Sequence, residues 1–543
     1  MDALSQTYAS LLTGTYDCVD RIVLNGFFRM GHDAGGFRVW WRALTGSEET
    51  LDNAHLMRMA GRFSRRLRAW AMAHGIPIKE CSAGEQKHAI AEEYLSRTEV
   101  QHGLFLILVG RCQAPVWDVG ESRHITGKKP SPYVNHYSFH ILDGEWGHIT
   151  IKMSGHPPFP VQIILNGHEF MERQARRAGI VFEKEGHCFT GISDPAGFRQ
   201  IAETFTEASV TGRLTAVCNR WIYTSCLCFA LDLQQQERSG FQYQYSTYQF
   251  EFSRNLIFAV GHQMKQVMEA LVDRNRVRLD VKTLKTILGR KQRRYSSRRR
   301  KLEDWHITVE RPSYDVTIFK VHCGKLALKM YSKGEGVLRV EAMALNAEEL
   351  KCGRLVEKFA LSVQRLKAIL ERFVEALSCL DRCFISDGMR NDLPTPSMVG
   401  TTRVGGVDFN RRRMQRVVHG LLALAASPRG FTASQLASHV VAQKTGEQYT
   451  YSSRQAAYDL KKFRGKGIVF RIGSSHRYET SSDGLRALSA LVLLRNKILA
   501  PLLASATQPR FTSGPTHPSN LDRRYEALRK EMWATLSELG VAA

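Results

Sequence analysis

Residues 134–153 read VNHYSFHILDGEWGHITIKM. His136, His140 and His148, with Asp143 and Glu145, lie on a strand–turn–strand pattern. Strand side chains repeat every two positions, so His136 and His140 share a face. Metal-assisted phosphodiester hydrolysis needs several carboxylates converging from different strands. Asp143 is a candidate for that role, with Asp118, Glu251 and Glu341 as partners from elsewhere. Asp143 and Glu251 are then the expected metal ligands, and Mg2+ the expected ion. The competing reading is conformational: Asp-Gly is a favoured hairpin turn, because Asp tolerates the left-handed region and Gly supplies positive φ. His136, His140, His148, His156 and His168 are dense enough to hold a metal, but for each alone a core or nucleic-acid contact is the simpler role.

The composition says what such a site would act on. Lys and Arg number 76 against 52 Asp and Glu, a net charge of +24 in 543 residues. The isoelectric point is near 9.7. A surplus of this size calls for a polyanion, DNA or RNA, as partner. Hydrophobic residues make up 43%, which excludes a disordered chain. No apolar run approaches the roughly 18 residues of a membrane span; the longest, Leu104 to Val109, has strand length. The beginning of the chain, MDALSQTYASLL, lacks the basic region of a secretory signal. The 11 cysteines are scattered without zinc-site spacing. These features predict a cytoplasmic protein with no membrane partner.

The elements that must position the chemistry read as follows. Residues 1–130 are expected to form an α/β domain, with strands at DRIVLNGFF and FRVWWR, helices at 52–74 and 83–95, and a buried strand LFLILVG. Strand–helix–strand order predicts a parallel sheet. Arg58, Arg62 and Arg65 recur at i, i+4, i+7 on one helix face. Residues 131–235 contain the hairpin, the strand PVQIIL, a turn at Asn166-Gly167, a helix, and a largely helical stretch. Residues 236–386 form a central basic α+β region. Its strand YQYSTYQFEFSRNLIF leaves 253–275 open to a helical reading. RKQRRYSSRRRK at 290–301 supplies Arg290, Lys291, Arg293, Arg294, Arg298, Arg299 and Arg300 for phosphate contact. Residues 387–410 and 507–519 read as linkers, and a helix closes the chain within 506–543. No internal repeat is visible.

Between the linkers, 411–505 carries three helices, with Thr432 or Ser434 and Ser452 or Ser453 as caps. IVFRI, the turn GSSH and RYETSSDG follow as two strands. This order resembles a winged helix-turn-helix. Residues 411–480 contain 13 Lys or Arg and 3 Asp or Glu. The resemblance implies that Arg454, Tyr458 and Lys461 meet a major groove, and that Arg471, His476 and Arg477 on the wing meet the backbone.

KLALKMYSKGEGVLRVEAMALN at 325–346 resembles a segment of phage and plasmid replication initiators. Such initiators nick DNA with a tyrosine and a metal on a His-hydrophobic-His pair, which this chain lacks. Lys329, Tyr331 and Lys333 share one strand face, and Arg339 and Glu341 another. If the two strands pair, a charged cluster forms beside an anion-binding surface. The hairpin with NGHEF, QFEF, LGRK, the LRVE strand and the C-terminal pattern together resemble a widespread bacterial family carried by mobile elements. A carboxylate strand followed by a turn and an antiparallel partner also resembles the start of RNase H-like nucleases.

The sequence therefore predicts an α+β multidomain protein, with mixed-sheet N-terminal and central domains and a C-terminal winged helix. The expected activity is nucleic-acid binding as a replication initiator or regulator. The alternatives are a metal-dependent nuclease using Asp143, Glu251 and Glu341, and an RNA-binding partner of a structured transcript.

Overall fold

Strict alternation builds the centre of the molecule. In GHITIKMS, Ile149, Ile151 and Met153 are fully buried, while His148, Thr150 and Lys152 between them are only partly so. That pattern belongs to a strand with one apolar and one polar face. The computed structural model describes residues 3–46, 51–121, 124–186, 188–278, 305–313, 316–323, 325–381, 392–425, 427, 430–442, 450–495 and 519–538.

Eleven strands form one sheet. They are β1 (Leu12–Phe28), β2 (Ile78–Glu80), β3 (Gly103–Gln113), β6 (Tyr133–Asp143), β7 (Gly147–Ser154), β8 (Val161–Asn166), β11 (Tyr243–Phe258), β12 (Trp305–Ser313), β13 (Val316–Cys323), β14 (Leu326–Lys333) and β15 (Val337–Ala344). Side hairpins are made by β4 (Trp117–Val119) with β5 (Ile125–Gly127), and by β9 (Phe182–Glu185) with β10 (Cys188–Ile192). The order across the sheet is β12-β13-β14-β15-β11-β1-β8-β7-β6-β3-β2. Only the edge pair β2–β3 is parallel. The expected parallel sheet is thus corrected to an almost wholly antiparallel one, because β6, β7 and β8, and likewise β12 to β15, follow one another through hairpins rather than helical crossovers.

Outward from the central β1–β11 pair, the order is β8, β7, β6, β3 on one side and β15, β14, β13, β12 on the other. Each half is a long strand, a helical excursion, and four antiparallel strands that walk back to it. The halves are related by a topological two-fold axis at the middle of the β1–β11 ladder. Such a repeat is invisible in the residues, since strand order requires only alternation and turns.

Helices Ala34–Thr45, Asn53–Ala73, Ser209–Ser225 and Phe359–Asp381 contribute to the core under this sheet through Trp40, Phe63, Leu214 and Leu366. FRVWWR, read above as a strand, lies in the first of them. Phe37, Trp40, Trp41 and Leu44 are buried at helical spacing, Asp33 caps the start, and Gly46 ends the helix at φ 66°. The tryptophans pack equally well in either element, so the caps decide. Residues 243–258 are strand and Gly261–Arg278 is helix, which divides the ambiguous 253–275 stretch. The boundaries at 130/131 and 235/236 fall between strands of the one eleven-stranded sheet, and its main core spans both.

A second core holds residues 393–492. Helices Arg412–Ala425, Ala433–Ala442 and Ser453–Gly465 pack with a small sheet of β18 (Phe431–Thr432), β20 (Arg477–Thr480) and β19 (Val469–Arg471), in that order. Within the expected 387–410 linker, β16 (Ser397–Val399) and β17 (Thr402–Val404) form a hairpin beside the helix Ser453–Gly465. Leu393, Val404 and Val407 are buried there, so these apolar residues make that stretch part of the unit.

Candidate functional site

The polar face of the sheet carries its charge at the seam between the halves. Register sets two rows across four strands. Tyr331, Arg339, Asn255 and Tyr16 stand side by side, as do Lys329, Glu341, Ser253 and Cys18. A β-bulge interrupts β1 between Val19 and Ile22. Both bulge residues, Asp20 and Arg21, line one cleft of about 620 Å3 with Glu251, Lys329, Tyr331, Arg339 and Glu341. Bulges re-aim side chains in this way.

Arg339, 2% exposed, organises the floor. Its Nε donates to Asn255 Oδ1 at 2.7 Å, and Nη2 donates to Asp20 Oδ1 at 3.1 Å and meets His168 Nε2 at 2.6 Å. Burial alone would raise the Asp20 carboxyl, but Arg339 and His168 outweigh it and hold it well below the usual carboxylate range. His168 is kept neutral by burial, its pKa lowered to about 4. It stands at the start of the helix Gly167–Arg177, where Asn166 caps the backbone. A Cβ on Gly167 would lie 1.6 Å from Val19 O, so only glycine lets this helix start so close to β1.

The second row is built around Glu341. Tyr331 donates to its Oε2 at 2.8 Å and Lys329 to its Oε1 at 3.4 Å. Burial and the Glu341 carboxylate push the Tyr331 hydroxyl far up. Glu251 accepts from Gln249 at 3.4 Å. Burial, then Glu341 and Asp20, raise its carboxyl to about 7, so near neutrality it can give or take a proton. Farther along, His140 Nδ1 and His148 Nε2 are 3.0 Å apart, and both rings are held neutral by burial.

Of the three candidate carboxylates, the structure brings Glu251 and Glu341 into one cleft, but not Asp143. Asp143 is fully buried and accepts from the Glu145 and Trp146 N–H groups at 2.8 and 2.9 Å, from Arg220 at 2.7 Å and from Trp221 at 2.9 Å. Four donors consume its oxygens, so it is a hairpin cap and neither a catalytic carboxylate nor a metal ligand. Asp118 lies on β4 beside Lys128, away from the cleft. The cleft carboxylate nearest to Arg339 is Asp20, which the sequence reading passed over; its signal was a lone Asp-Arg pair at the head of the apolar strand DRIVL. Among the described residues only Cys18, Asp20 and His168 bring three ligand atoms within 4.8 Å. Arg339 already supplies a cation to that set, so these residues do not fit a divalent ion. The expected Asp143–Glu251 metal pair does not assemble.

Lys329, Lys333 and Arg339 lie in the cleft rather than on an open surface. Arg58 and Arg65 are exposed on the helix Asn53–Ala73, and Arg62 is partly so. Arg290, Lys291, Arg293, Arg294, Arg298, Arg299 and Arg300 lie outside the described residues. Arg454 and Tyr458 are exposed on the helix Ser453–Gly465, and Lys461 is half-buried. Arg471 donates to Ser474 O at 2.9 Å and braces its own turn, while Arg477 donates to Gly430 O at 3.1 Å, ahead of β18. Arg21 and Lys152 are cleft cations not singled out from the sequence, although Lys152 stands in plain alternation with His148 and Thr150. No protein-family model, curated protein or solved structure matches the chain. The chain is an α+β protein with a charged cleft at the seam of a two-fold sheet. No single described helix is long and apolar enough to cross a membrane.

Proposed function

We propose that the protein binds nucleic acid and that its C-terminal unit docks on duplex DNA in the manner of a winged helix, as a replication initiator or regulator does. One observation carries the reading: the helix Ser453–Gly465 turns Ala456, Leu460 and Phe463 into its core and Arg454 and Tyr458 outward. Ser452 and Gln455 form a capping box that fixes where the helix begins. Lys462 stands 5.2 Å above the Tyr458 ring, which sets a flat aromatic beside a cation at the outer surface. The net charge of +24 supplies the attraction. Fluorescence anisotropy on labelled duplex DNA tests the reading. Arg454→Ala with Lys461→Ala is expected to weaken binding by at least tenfold, and unchanged binding refutes it.

A second reading, phosphodiester cleavage, draws support from Glu251 beside Glu341 in the cleft. It assigns Glu251 the proton transfer and gives Asp143 no part. Loss of cleavage in Glu251→Gln, with cleavage retained in Asp143→Asn, is the expected pattern.

A further inference from the structure

The cations of the cleft are not all held in ion pairs. Arg339 is matched by Asp20, and Lys329 by Glu341. The side chains of Arg21, Lys152 and Lys333 make no hydrogen bond or ion pair among the described residues, although all three line the same cleft, Arg21 at its exposed side. Lys152 and Lys333 are half-buried, and like charges crowd them: Arg21 and Lys87 press on Lys152, and Arg339 on Lys333. Holding the two ammonium groups half out of water without a hydrogen-bonded partner costs free energy, which for Lys333 the Asp20 and Glu341 carboxylates return only in part. Such a set suits an anion.

The fold explains how these groups come to face one another. β7 and β14 are the third strands from the seam in the two halves. Each presents three alternate residues to the cleft, His148, Thr150 and Lys152 on one and Lys329, Tyr331 and Lys333 on the other. Arg21 stands in the bulge near the middle of the central ladder, between them. His140 gives a second, independent sign of a ligand. It is 4% exposed, lines the cleft, and its Nε2 has no partner.

We propose that the seam cleft is a binding site for a phosphate ester, held by Arg21, Lys152 and Lys333. Three cations without an ion-pair contact suit a group carrying more than one negative charge better than a carboxylate. The volume, about 620 Å3, suits a nucleotide-sized ligand. The phosphate comes from a free nucleotide or from a nucleic-acid strand, and the chemistry of recognition is the same for both. The proposal does not rest on the C-terminal reading and stands if the helix Ser453–Gly465 never touches DNA.

The test is a thermal melt of the full chain in low salt with sodium pyrophosphate, repeated by calorimetric titration with thymidine monophosphate and with thymidine. All are done on the Arg454→Ala/Lys461→Ala protein, so that the outer helix contributes nothing. Pyrophosphate is expected to raise Tm, and the monophosphate to bind where thymidine does not. A 5′-phosphorylated oligothymidine that binds at least tenfold tighter than the monophosphate assigns the site to a strand; equal affinity assigns it to a nucleotide. Lys152→Met with Lys333→Met is expected to raise Tm without ligand, because mutual repulsion is removed, and to lose the pyrophosphate response. The proposal is overturned if pyrophosphate leaves the melt of the parent protein unchanged, if thymidine binds as well as its phosphate, or if the double substitution lowers Tm or preserves the response.

Discussion

Arg339 on β15 reaches Asp20 on β1 at 3.1 Å, passing across β11, and so ties together residues 319 positions apart. The same guanidinium holds Asn255 on the strand between them. One side chain thereby fixes both halves of the sheet at their seam and takes up the Asp20 carboxylate.

Removing that tie leaves Asp20 buried and uncompensated. Arg339→Met is expected to destabilise the fold by about 3–5 kcal/mol, the usual cost of orphaning one member of a buried pair. Urea unfolding followed by circular dichroism measures it. Arg339→Met combined with Asp20→Leu is expected to recover much of the loss, since no buried charge then stands alone.

Glu251 gives the protein a pH dependence of definite sign. Its carboxyl titrates at about 7 in the fold against an ordinary 4.5, pushed up by burial and by Glu341 and Asp20, with Lys329 and Arg21 opposing. The folded state therefore holds this proton more tightly than the unfolded chain does. Its contribution to stability is complete below about 4.5 and is lost as pH rises through about 7. Phosphate binding should weaken over the upper part of the same range, because ionised Glu251 repels the ligand. Glu251→Gln is expected to flatten both profiles, in thermal melts and in titrations at pH 6 and 8.

The buried histidines act in the opposite direction. His140, His148 and His168 titrate at about 3, 4 and 4, against 6.5 in an unfolded chain, each depressed first by burial. The unfolded state takes up protons that the fold refuses. Stability supplied above 6.5 is lost as pH falls toward 4. Far-ultraviolet circular dichroism through that window should show the loss, and His148→Gln should make it shallower.

Asp143 is expected to matter for stability and not for ligand. Asp143→Ala strands two turn N–H groups together with Arg220 and Trp221. The cost should be on the order of 3 kcal/mol, a sum over several orphaned donors. Pyrophosphate binding by the variant, measured below its lowered Tm, should match that of the parent.

The outer helix should show itself in salt dependence. If Arg454 and Lys461 each neutralise one phosphate, losing both should lower the slope of log K against log salt by about two. Anisotropy titrations across a series of salt concentrations give that slope directly, and a parallel pair of lines would place both residues off the DNA.

Local rules carried the sequence far. Alternation marked β7 and β8, the apolar run marked β3, and the 325–346 stretch gave a correctly paired β14 and β15. The surplus of cations was legible by counting. Local rules also made FRVWWR a strand where the fold has a helix, because a pair of tryptophans packs as well from a helix as from a strand. The site was legible only in pieces: Glu251, Glu341, Lys329, Tyr331, Lys333 and Arg339 were each visible as charged or polar residues on strands. What the sequence by itself determined was which residues face away from the core, since the two-residue period of a strand is written in the residue types. What only the tertiary structure decided was which strands become neighbours. That placed Asp20, rather than Asp143, beside Glu251 and Glu341, because pairing across the seam depends on register between segments hundreds of residues apart, and no local spacing records it.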